Sequence, residues 1–180
     1  MHLIILDRDG VINHDSEDYI KSPDEWLPIA GSIEAIARLS QADYRIVVAT
    51  NQAGLGRRLF DLDALMHMHD KMHRLVNEAG GEIEAVVFCP HRPEDGCDCR
   101  KPKPGMLLEI AGRFMMDLQD VPFVGDSLRD LQAARAAGAK PVLVRTGNGA
   151  RTLATLSGFA GVEVYDNLAA FADAVLAKPA

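Results

Sequence analysis

The sequence predicts an α/β protein built on a doubly wound parallel sheet. Short, continuously apolar runs recur along the 180-residue chain, and such runs fit strands buried on both faces. Segments with apolar residues at helical spacing separate them. Strict alternation of strand with helix predicts a parallel sheet with right-handed crossovers. Several apolar runs end abruptly in polar groups, at the carboxyl edge where such sheets bind ligands.

The first strand is Leu3-Ile4-Ile5-Leu6, and it stops at Asp7-Arg8-Asp9-Gly10. Gly10 lets the chain turn sharply there. Carboxylates so close repel each other unless a cation lies between them or one holds a proton. The first outcome suits a hard divalent ion, the second a general acid. The polar loop from Asn13 to Pro28 is long for a connection and hints at function or a small flap; Asp15, Glu17 and Asp18 make it acidic. Ser32 is placed to cap a helix whose apolar face is Ile33, Ile36, Ala37 and Leu39. Tyr44–Ala49 reads as the second strand and ends in Thr50-Asn51-Gln52-Ala53-Gly54.

Asp61 is the expected cap of a helix over Leu62–Ala79, with His69 and His73 on an exposed face and Gly80-Gly81 at its end. Ile83–Phe88 is the third strand, and Cys89–Pro104 is irregular. A helix is expected from Gly105 through Leu118, then a strand at Val121–Val124 running into Gly125-Asp126-Ser127. Leu128–Ala137 is a helix closed by Gly138, and Pro141–Val144 is a fifth strand leading to the glycine turn Thr146–Gly149. A strand at Val162–Tyr165 and a helix at Leu168–Leu176 complete the alternation. No repeat or linker divides the chain, which predicts one domain over residues 1–180.

A net charge of −7 argues against nucleic acid as a partner. No apolar run is long enough for a membrane span, and Asp7 and Asp9 interrupt the only apolar segment near the start, so no secretory leader is expected. A cytoplasmic protein with reduced thiols follows. All three cysteines lie between Cys89 and Cys99, in the pattern Cys89-x-His91-x5-Cys97-x-Cys99. Three thiolates and one imidazole form a closed tetrahedral set for a structural zinc ion. Such an ion would stiffen residues 89–104 and fix Arg100 and Lys101, directly after the last ligand.

The strand ends supply Asp7 and Asp9, Thr50, Arg100-Lys101, and Asp126 with Asp130. In a doubly wound sheet they converge on one edge. Acids hold magnesium, a lysine offsets phosphoryl charge, a carboxylate serves as covalent nucleophile, and a second carboxylate moves protons. Arg57, Arg58, Arg92, Arg100, Lys101 and Lys103 could add positive potential, or serve as ordinary surface residues.

Asp7-Arg8-Asp9-Gly10-Val11, strand-final Thr50, Lys101 and Gly125-Asp126-Ser127-x-x-Asp130 occur in an order that resembles the haloacid-dehalogenase-like phosphatases. The resemblance implies a Rossmann-like fold with Asp7 as nucleophile, Asp9 as general acid/base, and Thr50 and Lys101 as phosphoryl stabilisers. It implies magnesium held by Asp7, the Asp9 carbonyl and Asp126, with Asp130 supporting from behind. The zinc pattern and Arg100-Lys101-Pro102-Lys103-Pro104-Gly105-Met106 look like the heptose-bisphosphate phosphatase branch, whose neighbours, the histidinol-phosphate phosphatases, share that loop. This chain is shorter between His91 and Cys97 than some members.

The branch implies hydrolysis of the 7-phosphate of a heptose 1,7-bisphosphate on the way to lipopolysaccharide core sugars. It implies substrate contacts from Asp15, Ser16, Glu17 and Asp18, from Thr50, Asn51, Gln52 and Ala53, and from Arg100 and Lys101. The intervals between motifs hold no large cap domain, so an open site in a monomer acting on a small sugar phosphate is expected. Histidinol phosphate is the alternative substrate. A phospho-receiver signalling module is the alternative of another class, and an acid two residues after the acceptor argues against it.

Overall fold

A computed structural model describes residues 2–156 and 159–177. Six parallel strands form one sheet in the order β3-β2-β1-β4-β5-β6. They are β1 (His2–Leu6), β2 (Tyr44–Asn51), β3 (Ala85–Cys89), β4 (Pro122–Gly125), β5 (Lys140–Val144) and β6 (Glu163–Tyr165). The helices are α1 (Ser32–Gln41), α2 (Ala53–Gly56), α3 (Leu62–Glu78), α4 (Gly105–Phe114), α5 (Leu128–Ala136), α6 (Gly149–Thr155) and α7 (Leu168–Leu176).

β1 is central because both faces of its apolar run are covered. Ile4 and Leu6 pack with Ile36, Leu65 and Phe171 on the side of α1, α3 and α7. Leu3 and Ile5 point the other way, to Met106, Ile110 and Ala134 of α4 and α5. The strand order runs outward in opposite directions from β1 and β4, so a crevice opens beyond their carboxyl ends. Asp7 follows β1 there, its N–H donating to Val124 O at 2.8 Å, and Asp126 follows β4.

Two short helices differ from the sequence reading. α2 occupies the polar turn after β2, and α6 follows the glycine turn after β5; each is too short for an apolar period to stand out. Ser32 does not cap α1. Gly31, in the left-handed region, precedes the helix, and the Ser32 hydroxyl instead donates to Ile12 O at 2.6 Å or Ile29 O at 2.7 Å, tying the loop's two ends together. Asp61 does cap α3, accepting from Ala64 N.

The 13–28 loop is packed rather than a free flap. Trp26 is fully buried in the core, and Ile20 joins it. Lys71 of α3 donates to Pro23 O at 2.6 Å and Trp26 O at 2.8 Å. Among the described residues no helix is long and apolar enough to cross a membrane.

Trp26→Ala is therefore expected to cost about 3–5 kcal/mol, the range for emptying a large aromatic site, seen as a lower urea midpoint. A loss under about 1 kcal/mol would mean the loop is not anchored by this side chain.

Candidate active site

Lys101 is the buried centre of the strand-end cluster. Its ammonium lies 2.8 Å from Asp7 Oδ1 and 2.7 Å from Asp130 Oδ1, and donates to Ala49 O at 2.9 Å. Burial opposes its charge, but Asp130 and Asp7 outweigh that and raise its pKa. Its backbone is pinned by Asn51: Lys101 N donates to Asn51 Oδ1 and Asn51 Nδ2 donates to Lys101 O, both at 3.1 Å.

Asp7 Oδ1 accepts from Arg8 N at 2.7 Å as well as facing Lys101, while Oδ2 accepts nothing among the described residues. Burial, then Asp130, push the Asp7 pKa well above its ordinary value despite Lys101. Asp126 accepts at Oδ2 from Asn148 N at 2.7 Å, and burial followed by Asp130 raise its pKa to about 7. Burial also opposes ionisation of Asp130, but Lys101 and the Ser127 hydrogen bonds, at 3.0 and 2.6 Å, hold its pKa below normal.

Oxygens of Asp7, Asp126 and Asp130 lie within 4.8 Å of one another. That donor set fits a hard divalent cation. Bare backbone makes room for it: Gly10 has φ +84°, Gly147 has φ +56°, and a Cβ at either would overlap Asp126 Oδ2. The repulsion expected between Asp7 and Asp9 is resolved differently. Asp9 turns away from the three acids to the Arg8 guanidinium, at 2.9–3.0 Å, and to Asn13 and Gln52.

These groups line a cleft of about 220 Å³. Asp7, Asp9, Asp15, Ser16, Thr50, Asn51, Gln52, Ala53, Arg100, Lys101 and Asp126 are all on its walls. Glu17 and Asp18, expected there, are not. Glu17 faces an adjacent depression beside His14 and Asn148, and Asp18 is exposed, because the two form a turn outside the wall before the chain returns to it at Tyr19 and Ile20. Arg57, Arg58, Arg92 and Lys103 are also outside the cleft; Arg57 pairs with Glu94, Arg92 with Asp95 and Lys103 with Asp98.

Sequence reading missed Tyr19, Arg129 and Asn148 on the cleft wall. A signal existed for two of them: Asn148 lies in a strand-end turn, and Arg129 directly precedes motif residue Asp130. His69 is buried, not exposed, and faces Arg8 at 3.3 Å.

Beside the cleft, Cys89, His91, Cys97 and Cys99 gather their ligand atoms within 4.8 Å. The Sγ–Sγ separations are 3.2–3.6 Å, and His91 Nδ1 lies 3.3 Å from Cys99 Sγ and 3.6 Å from Cys89 Sγ. A zinc tetrahedron with Zn–S of about 2.3 Å and Zn–N of about 2.0–2.1 Å has edges of about 3.5–3.8 Å, so the set is arranged to fit one. All three cysteines are free thiols, and burial pushes Cys89 up to about 12 in the absence of a cation.

The HAD-hydrolase-like family matches residues 98–171. The D-glycero-beta-D-manno-heptose-1,7-bisphosphate 7-phosphatase of Bordetella bronchiseptica is 57% identical over 176 residues, 98% of both chains. The Pseudomonas aeruginosa protein of the same name is 58% identical over 174 residues, 97% of each. The crystal structure of the B. bronchiseptica D,D-heptose 1,7-bisphosphate phosphatase, complexed with magnesium and phosphate, superposes with a TM-score of 0.96 over 98% of both chains, at 57% identity. At that identity over nearly its whole length, the chain belongs to the D-glycero-beta-D-manno-heptose-1,7-bisphosphate 7-phosphatase family of HAD-like hydrolases.

Proposed function

We propose that this chain hydrolyses the 7-phosphate of D-glycero-D-manno-heptose 1,7-bisphosphate through an aspartyl-phosphate, as a cytoplasmic monomer. One observation carries the chemistry: Asp7 has one oxygen held by Lys101 and Arg8 N and the other undonated, on the cleft wall. That undonated oxygen attacks phosphorus, and the bond from phosphorus to the sugar oxygen breaks. Asp9 gives a proton to the departing oxygen, then takes one from the water that attacks the acyl phosphate. The bond from phosphorus to Asp7 breaks, returning the carboxylate and releasing phosphate. Lys101 and the Thr50 hydroxyl, both on the cleft wall, would stabilise the phosphoryl oxygens.

Magnesium, when bound, offsets the charge of phosphoryl oxygens and carboxylates, and Asp7, the Asp9 carbonyl and Asp126 would hold it. The raised pKa values of Asp7 and Asp126, and the crystallised relative's magnesium, support that reading. Zinc would be held by Cys89, His91, Cys97 and Cys99 and would have no part in the reaction. Asp15, Ser16 and the 50–53 turn flank the sugar, and Arg100, with Arg129 beside it, meets its second phosphate.

Phosphate release from the heptose bisphosphate, compared with histidinol phosphate, tests the substrate; a preference for the latter moves the assignment to the neighbouring branch. Asp7→Asn is expected to lower kcat by about 10³-fold or more, since an amide is not a comparable nucleophile. Turnover close to that of the unaltered enzyme would sink the covalent route.

Elemental analysis is expected to find one zinc per chain, lost in the Cys97→Ser, Cys99→Ser double variant. That variant is expected to lose at least ~2 kcal/mol, roughly 4–8 °C in Tm. Zinc-free unaltered protein, prepared without chelator, would refute the site.

Asp126 also predicts a pH signature in chelator. With a folded pKa of about 7 against an ordinary 3.8, the folded state holds a proton that the unfolded state has released. Unfolding then releases a proton, so rising pH destabilises the fold across that window. Asp126→Asn is expected to gain stability relative to the unaltered protein as pH rises from about 4 to about 7, and to lose the magnesium-induced rise in Tm. Parallel Tm curves for the two proteins would rule this out.

A further inference from the structure

Arg8 is a fully buried guanidinium behind the cleft-wall residue Asp9, and the proposed reaction gives its side chain no part. Its Nε donates to Asp9 Oδ1 at 3.0 Å, and its Nη2 reaches Oδ1 at 2.9 Å and Oδ2 at 3.0 Å. The remaining nitrogen, Nη1, faces His69 Nε2 on α3 at 3.3 Å. A guanidinium only donates, so Nε2 accepts and the ring proton sits on Nδ1. Burial and Arg8 keep that imidazole neutral, and Phe88 packs edge-on against the ring.

We infer that Arg8 and His69 are positioning residues for Asp9: the α3 imidazole fixes the guanidinium, and the guanidinium fixes which Asp9 oxygen faces the reaction. The donors are unevenly divided. Oδ1 faces Arg8 Nε, Arg8 Nη2 and Asn13 Nδ2, whereas Oδ2 faces only Arg8 Nη2 and Gln52 Nε2. Gln52 Nε2 is also 2.9 Å from Thr50 Oγ1, so Oδ2 is the oxygen on the phosphoryl side. Oδ2 is therefore the atom that gives and takes the proton, and Oδ1 is its anchor. Remove the His69 acceptor and Nη1 becomes a buried donor with no partner, which drives the guanidinium out of register.

The inference rests on the reading of Asp9 as proton donor, and the test separates the two. kcat/KM covers the steps through leaving-group departure. A primary alkyl phosphate, here the heptose bisphosphate, needs a proton on its leaving oxygen; p-nitrophenyl phosphate does not. Proper placement of a general acid is worth a large factor, so His69→Leu is expected to lower kcat/KM about 10-fold or more on the alkyl phosphate and less than about 3-fold on p-nitrophenyl phosphate. His69→Gln, which can offer a carbonyl oxygen to Nη1, is expected to restore most of the loss. A purely structural role would reduce both substrates alike.

Asp9→Asn is the control. If it shows the selective loss while folded His69→Leu shows equal losses or none, the positioning role is overturned and the reading of Asp9 stands. If Asp9→Asn shows no selective loss, the reading of Asp9 falls and the inference with it. Where His69→Leu does not fold, Arg8→Lys, which keeps the cation without the fork, carries the same comparison with the same expected and overturning results.

Discussion

The structure depends on one buried ammonium. Lys101 Nζ pairs with Asp7 and Asp130 and donates to the Ala49 carbonyl, and so joins the ends of β1 and β2 to the start of α5. A buried charge is tolerated only when paired and hydrogen-bonded, and each partner here is buried too. The pairing is incomplete for the cluster as a whole. Three carboxylates face one ammonium, which leaves the centre two positive charges short when all three acids are ionised. Lys101 and the Ser127 hydrogen bonds keep Asp130 below its ordinary range, so the shortfall falls on Asp7 and Asp126, the two whose pKa values rise. The same imbalance gives the three acids a donor set that fits a cation.

Lys101 reaches this position from an irregular segment, so its backbone must be held by something other than a helix or strand. Asn51 supplies one restraint through its reciprocal pair of hydrogen bonds. The Cys89, His91, Cys97 and Cys99 cluster supplies the other, two residues upstream. Cys89 belongs to β3, so the cluster ties the loop to the sheet itself. Stability and chemistry meet in this segment: its order is what keeps the ammonium from being an unpaired charge.

Much of this was legible in the sequence because it is local. The run Leu3–Leu6 ending in Asp7, the Cys/His spacing and the acids after Gly125 carry their meaning within a few residues. What was not legible depends on tertiary placement. His69 has the same helical periodicity whether it faces solvent or Arg8, and only the packing of α3 on β1 decides it. Asp9 beside Asp7 reads as a repelling pair until the intervening arginine folds back on it. Asp15 and Ser16 face the cleft while Glu17 and Asp18 do not, a division set by where a loop turns rather than by residue type. Ser32 has the composition of a cap, but Gly31 holds that position and the Ser32 hydroxyl donates to Ile12 O, which the fold brings near.

The charges at the cleft mouth bear on which phosphate ester fits. In a chain of net charge −7, the arginines and lysine flanking the cleft are mostly engaged: Arg57, Arg92 and Lys103 each pair with an acid. Arg100 makes only a 3.3 Å hydrogen bond to His91 O, and Arg129 makes no hydrogen bond or ion pair among the described residues. The two lie close enough for Arg129 to depress the Arg100 pKa, after the larger effect of burial. Two guanidiniums side by side repel each other and favour an anion between them. In the proposed reaction Lys101 and Thr50 serve the transferred phosphoryl group, which leaves the arginines for the other end of the substrate. A bisphosphate presents a second anion there. Histidinol phosphate presents an ammonium, which a guanidinium pair repels, and a largely neutral imidazole. On the proposed reading, these arginines would separate the two candidate substrates by the sign of the charge at the far end.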